Sequence, residues 1–201
     1  MHDQRSALIR SFIAIPLPME IRDRIGAYLG ALKSVSQAVK WVRAENIHLT
    51  LKFFGEIEAE KIEKIKTLLP ALGKISSPFR LEISGSGCFP NKRKPRVFWL
   101  ALSQQGSEEL QVIYRWLEDH LAGLGFERET RKFSPHLTLG RVKTQTDFRP
   151  LLDRMEKSPF PATAFDVSAL ELIRSQLTPT GARYTTLAAV TFQSLKKNDF
   201  I

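Results

Sequence analysis

Only one cysteine, Cys88, stands among 201 residues, so no intrachain disulfide can form, and nothing in cysteine usage points to an oxidising compartment. Long apolar runs are missing too. The best stretch, Ala7 to Leu17, is interrupted by Arg10 and stopped by Pro16 and Pro18, which fits neither a signal peptide nor a membrane span. A cytoplasmic protein with no membrane partner is expected. No low-complexity segment, long linker or block of like charge marks an independent domain or a disordered tail. Acidic residues are the minority, 21 Asp and Glu against 30 Lys and Arg, and the formal charge of +9 attracts polyanions. A solubilising surface would account for that charge equally well, so charge alone does not decide for a nucleic acid or nucleotide. Gly85-Ser86-Gly87 lacks the strand, helix and further glycine of a dinucleotide fingerprint and reads as a turn, with Cys88 beside it as a small apolar residue. The composition, 43% hydrophobic and 25% charged, is that of an ordinary globular protein.

What the sequence does have is a repeat. His-Leu-Thr-Leu occurs at His48 to Leu51 and again at His136 to Leu139, each time inside a segment that reads as a β-strand. Successive strand residues point to opposite faces, so His48 and Thr50 share one face while Leu49 and Leu51 share the other. His136 with Thr138, and Leu137 with Leu139, divide in the same way. Each copy presents an imidazole and a hydroxyl, anchored by two leucines that can be buried behind them.

Around the repeat, strands and helices alternate. Ser11 to Leu17 predicts a strand, and from Pro18-Met19-Glu20 the residues Ile21, Ile25, Leu29 and Leu32 fall at helical spacing. Asn46 to Phe54 predicts the first motif strand, and Ala59 to Leu72 an amphipathic helix with Ile62, Ile65, Leu68 and Leu69 as its stripe. Strands are expected at Phe79 to Ser84 and Val97 to Leu102, separated by a basic loop, Asn91 to Arg96. Leu110, Ile113, Tyr114, Leu117 and Leu121 predict a helix from Ser107 to Gly123. The second motif follows in Lys132 to Val142, with Pro135 at its open end. A short helix over Phe148 to Glu156 and strands at Phe165 to Ile173 and Tyr184 to Thr191, joined through Thr178-Pro179-Thr180-Gly181, complete one α+β unit.

Two imidazoles across a cleft suit acid and base catalysis, because histidine titrates near neutrality. Phosphodiester cleavage needs both services, a base for the attacking water and an acid for the leaving oxygen, and a threonine beside each ring can donate to a phosphate oxygen. A histidine in a half-buried strand is usually structural when it stands alone, and the repetition is what reverses that reading. His2, near the terminus, and His120, on the long helix, have no comparable partner. No Asp, Glu or Cys accompanies either motif at metal-ligand spacing, so metal binding is the weaker alternative. Trp41, Phe53, Phe54, Trp99 and Phe133 include candidates for a base-stacking platform, although aromatics near strands are more often core.

The paired tetrapeptides, together with Phe12-Ile13-Ala14-Ile15, Trp41-Val42-Arg43, Phe53-Phe54-Gly55-Glu56, Phe133-Ser134-Pro135 and Gly181-Ala182-Arg183-Tyr184, resemble the two-histidine phosphoesterase superfamily. Within it the chain is most similar to the bacterial and archaeal RNA 2',3'-cyclic phosphodiesterases, also called 2'-5' RNA ligases. The resemblance implies a bilobal fold in which two antiparallel-rich sheets with outer helices surround a central cleft, residues 1–201 forming one domain of two pseudo-symmetric lobes. It implies a metal-independent hydrolase without cofactor, His136 as proton acceptor from water and His48 as proton donor to the ribose 3'-oxygen, leaving a 2'-phosphate. Thr50 and Thr138 would stabilise the transition state, with Arg141 assisting. Arg141 lies five residues beyond His136, so strict alternation points it away and a bulge or strand end has to redirect it. The expected partner of this monomer is RNA with 2',3'-cyclic phosphate ends, tRNA fragments or nucleotides. Alternatives are a phosphodiesterase of small cyclic nucleotides or ADP-ribose cyclic phosphate, reversible 2'-5' ligation, and a non-catalytic RNA-binding module.

Overall fold

The computed structural model describes residues 8–104, 106–179 and 181–193; His2 and Thr180 lie outside them. The chain runs β1 (Leu8–Pro16), α1 (Met19–Lys33), β2 (Val39–Trp41), a 3-10 turn (Ala44–Asn46), β3 (His48–Glu58), α2 (Ala59–Ile75), β4 (Phe79–Phe89) and β5 (Val97–Leu102). It continues through α3 (Ser107–Gly123), β6 (His136–Val142), α4 (Arg149–Lys157), β7 (Thr163–Val167), β8 (Ala169–Thr178) and β9 (Gly181–Thr191). The strands lie in the order β7-β4-β5-β6-β3-β1-β8-β9, with β2 on β6. All pairings are antiparallel. The fold is α+β, and its two halves, each ending in a motif strand, meet at one residue pair, Leu49 opposite Leu137. Hydrogen bonding therefore runs continuously from one half to the other across a very narrow bridge.

The two halves repeat a plan. One is built on β1, α1, β3 and α2, the other on β5, α3, β6 and α4, and in each the first strand pairs with the motif strand. Helices are exchanged, since α1 packs with α4 and α2 with α3. Ile21, Ile25, Leu29 and Leu32 of α1, Ile62, Ile65, Leu69 and Leu72 of α2, and Leu110, Ile113, Leu117 and Leu121 of α3 are buried in one core with the motif leucines. Leu68, expected in the stripe of α2, is only partly buried.

Two expectations need correction, and one strand is added to them. Gly85-Ser86-Gly87 is not a turn but part of β4, where Gly85, with φ +89°, lies within a ladder irregularity between Ile83 and Ser86. Gly87 leaves room for the Trp99 indole, which would come within 2.6 Å of any Cβ there. The reversal comes later, at residues 90–96, where the Asn91 side chain accepts from the backbone N–H groups of Arg93 and Lys94. Phe165 to Ile173 is two strands rather than one. β7 borders β4, whereas β8 lies between β1 and β9 at the opposite side of the sheet, and the single residue between them, Ser168, carries no glycine or proline signal for such a break. The three-residue β2 was not foreseen at all, because it is too short to show a period.

Gly106 precedes α3 with φ +72°, and a Cβ would collide with the carbonyl oxygen of Arg80. Gly106→Ala should destabilise the protein by about 3 kcal/mol, since a left-handed conformation and a backbone clash add. Exposed Gly30, inside α1 with nothing near its missing side chain, provides the control. Gly30→Ala should raise stability by roughly 0.5–1 kcal/mol. Thermal melts check both, and a Gly106→Ala protein melting like the parent would contradict the strained geometry.

Candidate active site

Leu49 opposite Leu137 sets the geometry. Extending that antiparallel register one residue either way puts His48 across from Thr138 and Thr50 across from His136. The imidazoles therefore stand at diagonal positions, each facing the other motif's hydroxyl. Diagonal positions of an antiparallel pair are roughly 7–8 Å apart, a gap that a phosphate group can enter. Leu49, Leu51, Leu137 and Leu139 are all buried on the opposite face, as the alternation requires.

Both rings are held alike. His48 Nδ1 lies 2.8 Å from the carbonyl oxygen of Asn46, and His136 Nδ1 lies 2.7 Å from that of Ser134. A carbonyl only accepts, so Nδ1 carries the proton in each ring and Nε2 is left for chemistry. Asn46 donates its own amide to the Ala182 carbonyl at 2.8 Å, fixing the turn before β3 to β9. Phe12 stacks on His48 with centroids 4.5 Å apart, and Tyr184 meets the ring edge-on at 5.4 Å. Burial there pushes His48 down to about 4, only partly countered by the Asn46 hydrogen bond. His136 has Phe89 edge-on at 5.1 Å and Trp99 at 6.3 Å.

A bulge follows the motif in each strand. In β6, Thr138 pairs with Trp99 and Gly140 with Phe98, which makes Leu139 an extra residue and inverts the alternation after it. Arg141 is thereby turned into the cleft. In β3, Thr50 pairs with Ala14 and Lys52 with Ile13, so Leu51 is the extra residue. Lys52 is sent to the helix side, where it meets Glu118 of α3 at 2.8 Å, and Phe53 is brought to the cleft. The fifth residue after each histidine thus arrives on the catalytic face, arginine in one half and phenylalanine in the other.

The cleft has a volume of about 440 Å³, and His48, Thr50, Thr138 and Arg141 line it. His136 stands at its margin, two residues along β6 from Thr138. Among the described residues the lining contains Arg10, Lys40, Arg43 and Arg141 and no carboxylate. Arg43 pairs with Glu45 at 2.6 Å, while Arg10, Lys40 and Arg141 make no ion pair among the described residues. Uncompensated cations facing a cavity favour an anionic ligand. Burial raises the Tyr184 hydroxyl, with Arg141 and Arg10 acting in the opposite direction.

Sequence reasoning missed Arg10, Lys40 and Asn46. Arg10 could have been found from the alternation Arg10, Phe12, Ala14 against Ile13 and Ile15, whereas Lys40 belongs to the unforeseen β2 and gave no signal. Cys88 is buried, and that burial raises its thiol. His120 stacks on Trp116 at 3.9 Å on α3 and has no part in the cleft. No group of three or more His, Cys, Asp or Glu able to hold a metal occurs among the described residues, and no helix among them is long and apolar enough to cross a membrane.

A curled antiparallel sheet that brings two His-x-Thr-x strands side by side between exchanged helices defines a two-histidine phosphoesterase. Within that class the chain belongs to the 2'-5' RNA ligase superfamily, whose sequence profile matches residues 21–179. It is 36% identical over 178 residues to the RNA 2',3'-cyclic phosphodiesterase of Methanothermobacter thermautotrophicus, covering 88% of this chain and 95% of the relative. Identity to the enzyme of the same name from Thermotoga maritima is 35% over 185 residues, 92% of this chain and 96% of that one. Among solved structures, E. coli LigT in complex with 3'-AMP superposes with a TM-score of 0.72 at 29% identity, covering 93% of this chain and 99% of the other.

Proposed function

We propose that this chain hydrolyses the 2',3'-cyclic phosphodiester at an RNA end to a 2'-phosphomonoester by metal-independent acid and base catalysis. The observation that carries the reading is the diagonal pair of imidazoles, each opposite a threonine, beside a cleft lined by cations and by no carboxylate. His136 Nε2 takes a proton from water as the water oxygen attacks phosphorus. The bond from phosphorus to the 3'-oxygen breaks, and His48 delivers its proton to that oxygen, leaving a 3'-hydroxyl and a 2'-phosphate. Thr50, Thr138 and Arg141 hold the non-bridging oxygens as charge builds on them. The same pair serves 2'-5' ligation when a 5'-hydroxyl takes the place of water.

Relatives named RNA 2',3'-cyclic phosphodiesterase and a structural neighbour holding 3'-AMP support the substrate class. Each motif strand belongs to a different half, so neither half is competent alone, which supports one domain of two pseudo-symmetric lobes. Incubating an RNA oligonucleotide that bears the cyclic end with chelator-treated protein should yield a 2'-phosphate end. Persistence of the cyclic end at high enzyme concentration would overturn the reading. Comparing kcat/KM for RNA ends with that for cyclic mononucleotides and ADP-ribose cyclic phosphate then identifies the preferred substrate.

A further inference from the structure

We propose that Lys40, held opposite Arg141, forms a second phosphate subsite that takes the 5'-phosphate of the terminal nucleotide, so that the cleft grips the phosphodiester joining that nucleotide to the rest of an RNA strand. This rests on the reading of the cleft as the site of an RNA end. β2 lies on the same edge of β6 that β3 occupies at Leu137, and its register sets Lys40 opposite Arg141. Residues directly opposite in an antiparallel ladder share a face with their Cβ atoms roughly 5 Å apart, and like charges placed there destabilise the sheet. Both side chains line the cavity, and neither makes an ion pair among the described residues.

The fold holds this pair together instead of relieving it. The Val42 N–H donates to the Leu139 carbonyl and the Lys143 N–H to the Ala38 carbonyl, each at 2.8 Å, closing both ends of the short ladder. The Trp41 indole N–H donates to the Ser36 carbonyl at 3.2 Å. A Cβ at Gly140 would come within 2.6 Å of Val39 and 2.9 Å of Trp41, so the glycine is what lets β2 approach so closely. Charge points the same way. A cyclic phosphodiester carries a single negative charge, whereas Arg10, Lys40 and Arg141 bring three positive ones that no carboxylate in the lining offsets. A ligand with a second phosphate matches them better. Position says which phosphate that is. Along this edge of β6, His48 across from Thr138 is followed on the cleft side by Lys40 across from Arg141. The cation pair therefore neighbours His48, where the 3'-oxygen leaves, and lies away from His136, where water enters. That is the side of the ribose and its 5'-phosphate.

Binding reads the subsite without turnover. Adenosine 3'-monophosphate and adenosine 3',5'-bisphosphate differ only in the 5'-phosphate, and calorimetric titration of the parent protein should find the bisphosphate bound more tightly. Lys40→Met should reduce that advantage by about 5- to 50-fold, between the worth of an exposed ion pair and that of a charge-assisted hydrogen bond. Lys40→Arg should keep it. The melting temperature of Lys40→Met should hold or rise, because the substitution relieves a like-charge pair. A dinucleotide 3'-phosphate, in which the 5'-phosphate is part of the internucleotide bond, should share the advantage, and an advantage confined to the bisphosphate overturns the assignment to an RNA strand. Equal loss for the two nucleotides, an unchanged advantage, or a fall in melting temperature overturns the subsite. Should the parent open a cyclic phosphate yet bind the two nucleotides equally, the subsite falls and the catalytic reading stands; a Lys40-dependent advantage in a protein that never opens one has the opposite meaning.

Discussion

His136→Ala should lower kcat/KM for an RNA 2',3'-cyclic phosphate by about 10²- to 10⁴-fold, and His48→Ala by a similar factor, because each removes one proton-transfer partner from a single concerted step. The double variant should fall little further, since groups that act as a unit are not additive. Full activity in either single variant would show that acid and base lie elsewhere, and biological function retained in the double variant would favour the RNA-binding alternative. The low pKa of His48 sharpens the test. At about 4 it leaves the ring neutral in the free cleft near neutral pH, whereas a proton donor must be charged. A phosphodiester anion beside the ring favours the charged form. The alkaline limb of kcat, which reports the complex, should therefore lie at higher pH than that of kcat/KM, which reports the free enzyme. The reverse order would show that bound substrate does not favour the charged form of the proton donor. The same shift bears on stability. Unfolded His48 binds its proton below about 6.5 and folded His48 only below about 4, so stability falls as pH drops through that window. His48→Ala should flatten this loss in acid melts.

Glu118→Gln should cost about 3–5 kcal/mol of folding free energy, the penalty for leaving one member of a buried ion pair without its partner. Lys52 and Glu118 have side-chain exposures of 11% and 9% and meet at 2.8 Å. Each also ties down the segment that leads to the second motif: Lys52 donates to the Glu127 carbonyl at 2.7 Å, and Glu118 accepts from the Glu129 backbone N–H at 2.8 Å. Losing the charge on Glu118 therefore strands an ammonium and loosens the approach to His136. Denaturant unfolding measures the loss, and the apolar pair Lys52→Met with Glu118→Leu should recover most of it, as replaced buried pairs often do. A near-neutral Glu118→Gln would mean that water already reaches Lys52.

The chemistry of the site was legible because it is local. Strand periodicity assigned His48 with Thr50 and His136 with Thr138 to one face and the four leucines to the core, and the structure keeps that division. The helices were legible for the same reason, their stripes being written in side-chain spacing. Alternation predicts well only while the ladder is regular, and it fails at a bulge. Arg141, five residues beyond His136, requires one to reach the histidine's face, and Lys52 and Phe53 exchange faces through another that no residue type announces.

By itself the sequence determined the paired motifs, their amphipathic strands and the helices around them, since these follow from backbone geometry over a few residues. Only the tertiary structure decided that Leu49 opposes Leu137, that the run containing Phe165 and Ile173 divides between opposite sides of the sheet, and that Arg10 and Lys40 join the cleft. Those facts depend on pairing between residues distant in the chain, where burial of a common core selects the register among strands that are locally equivalent.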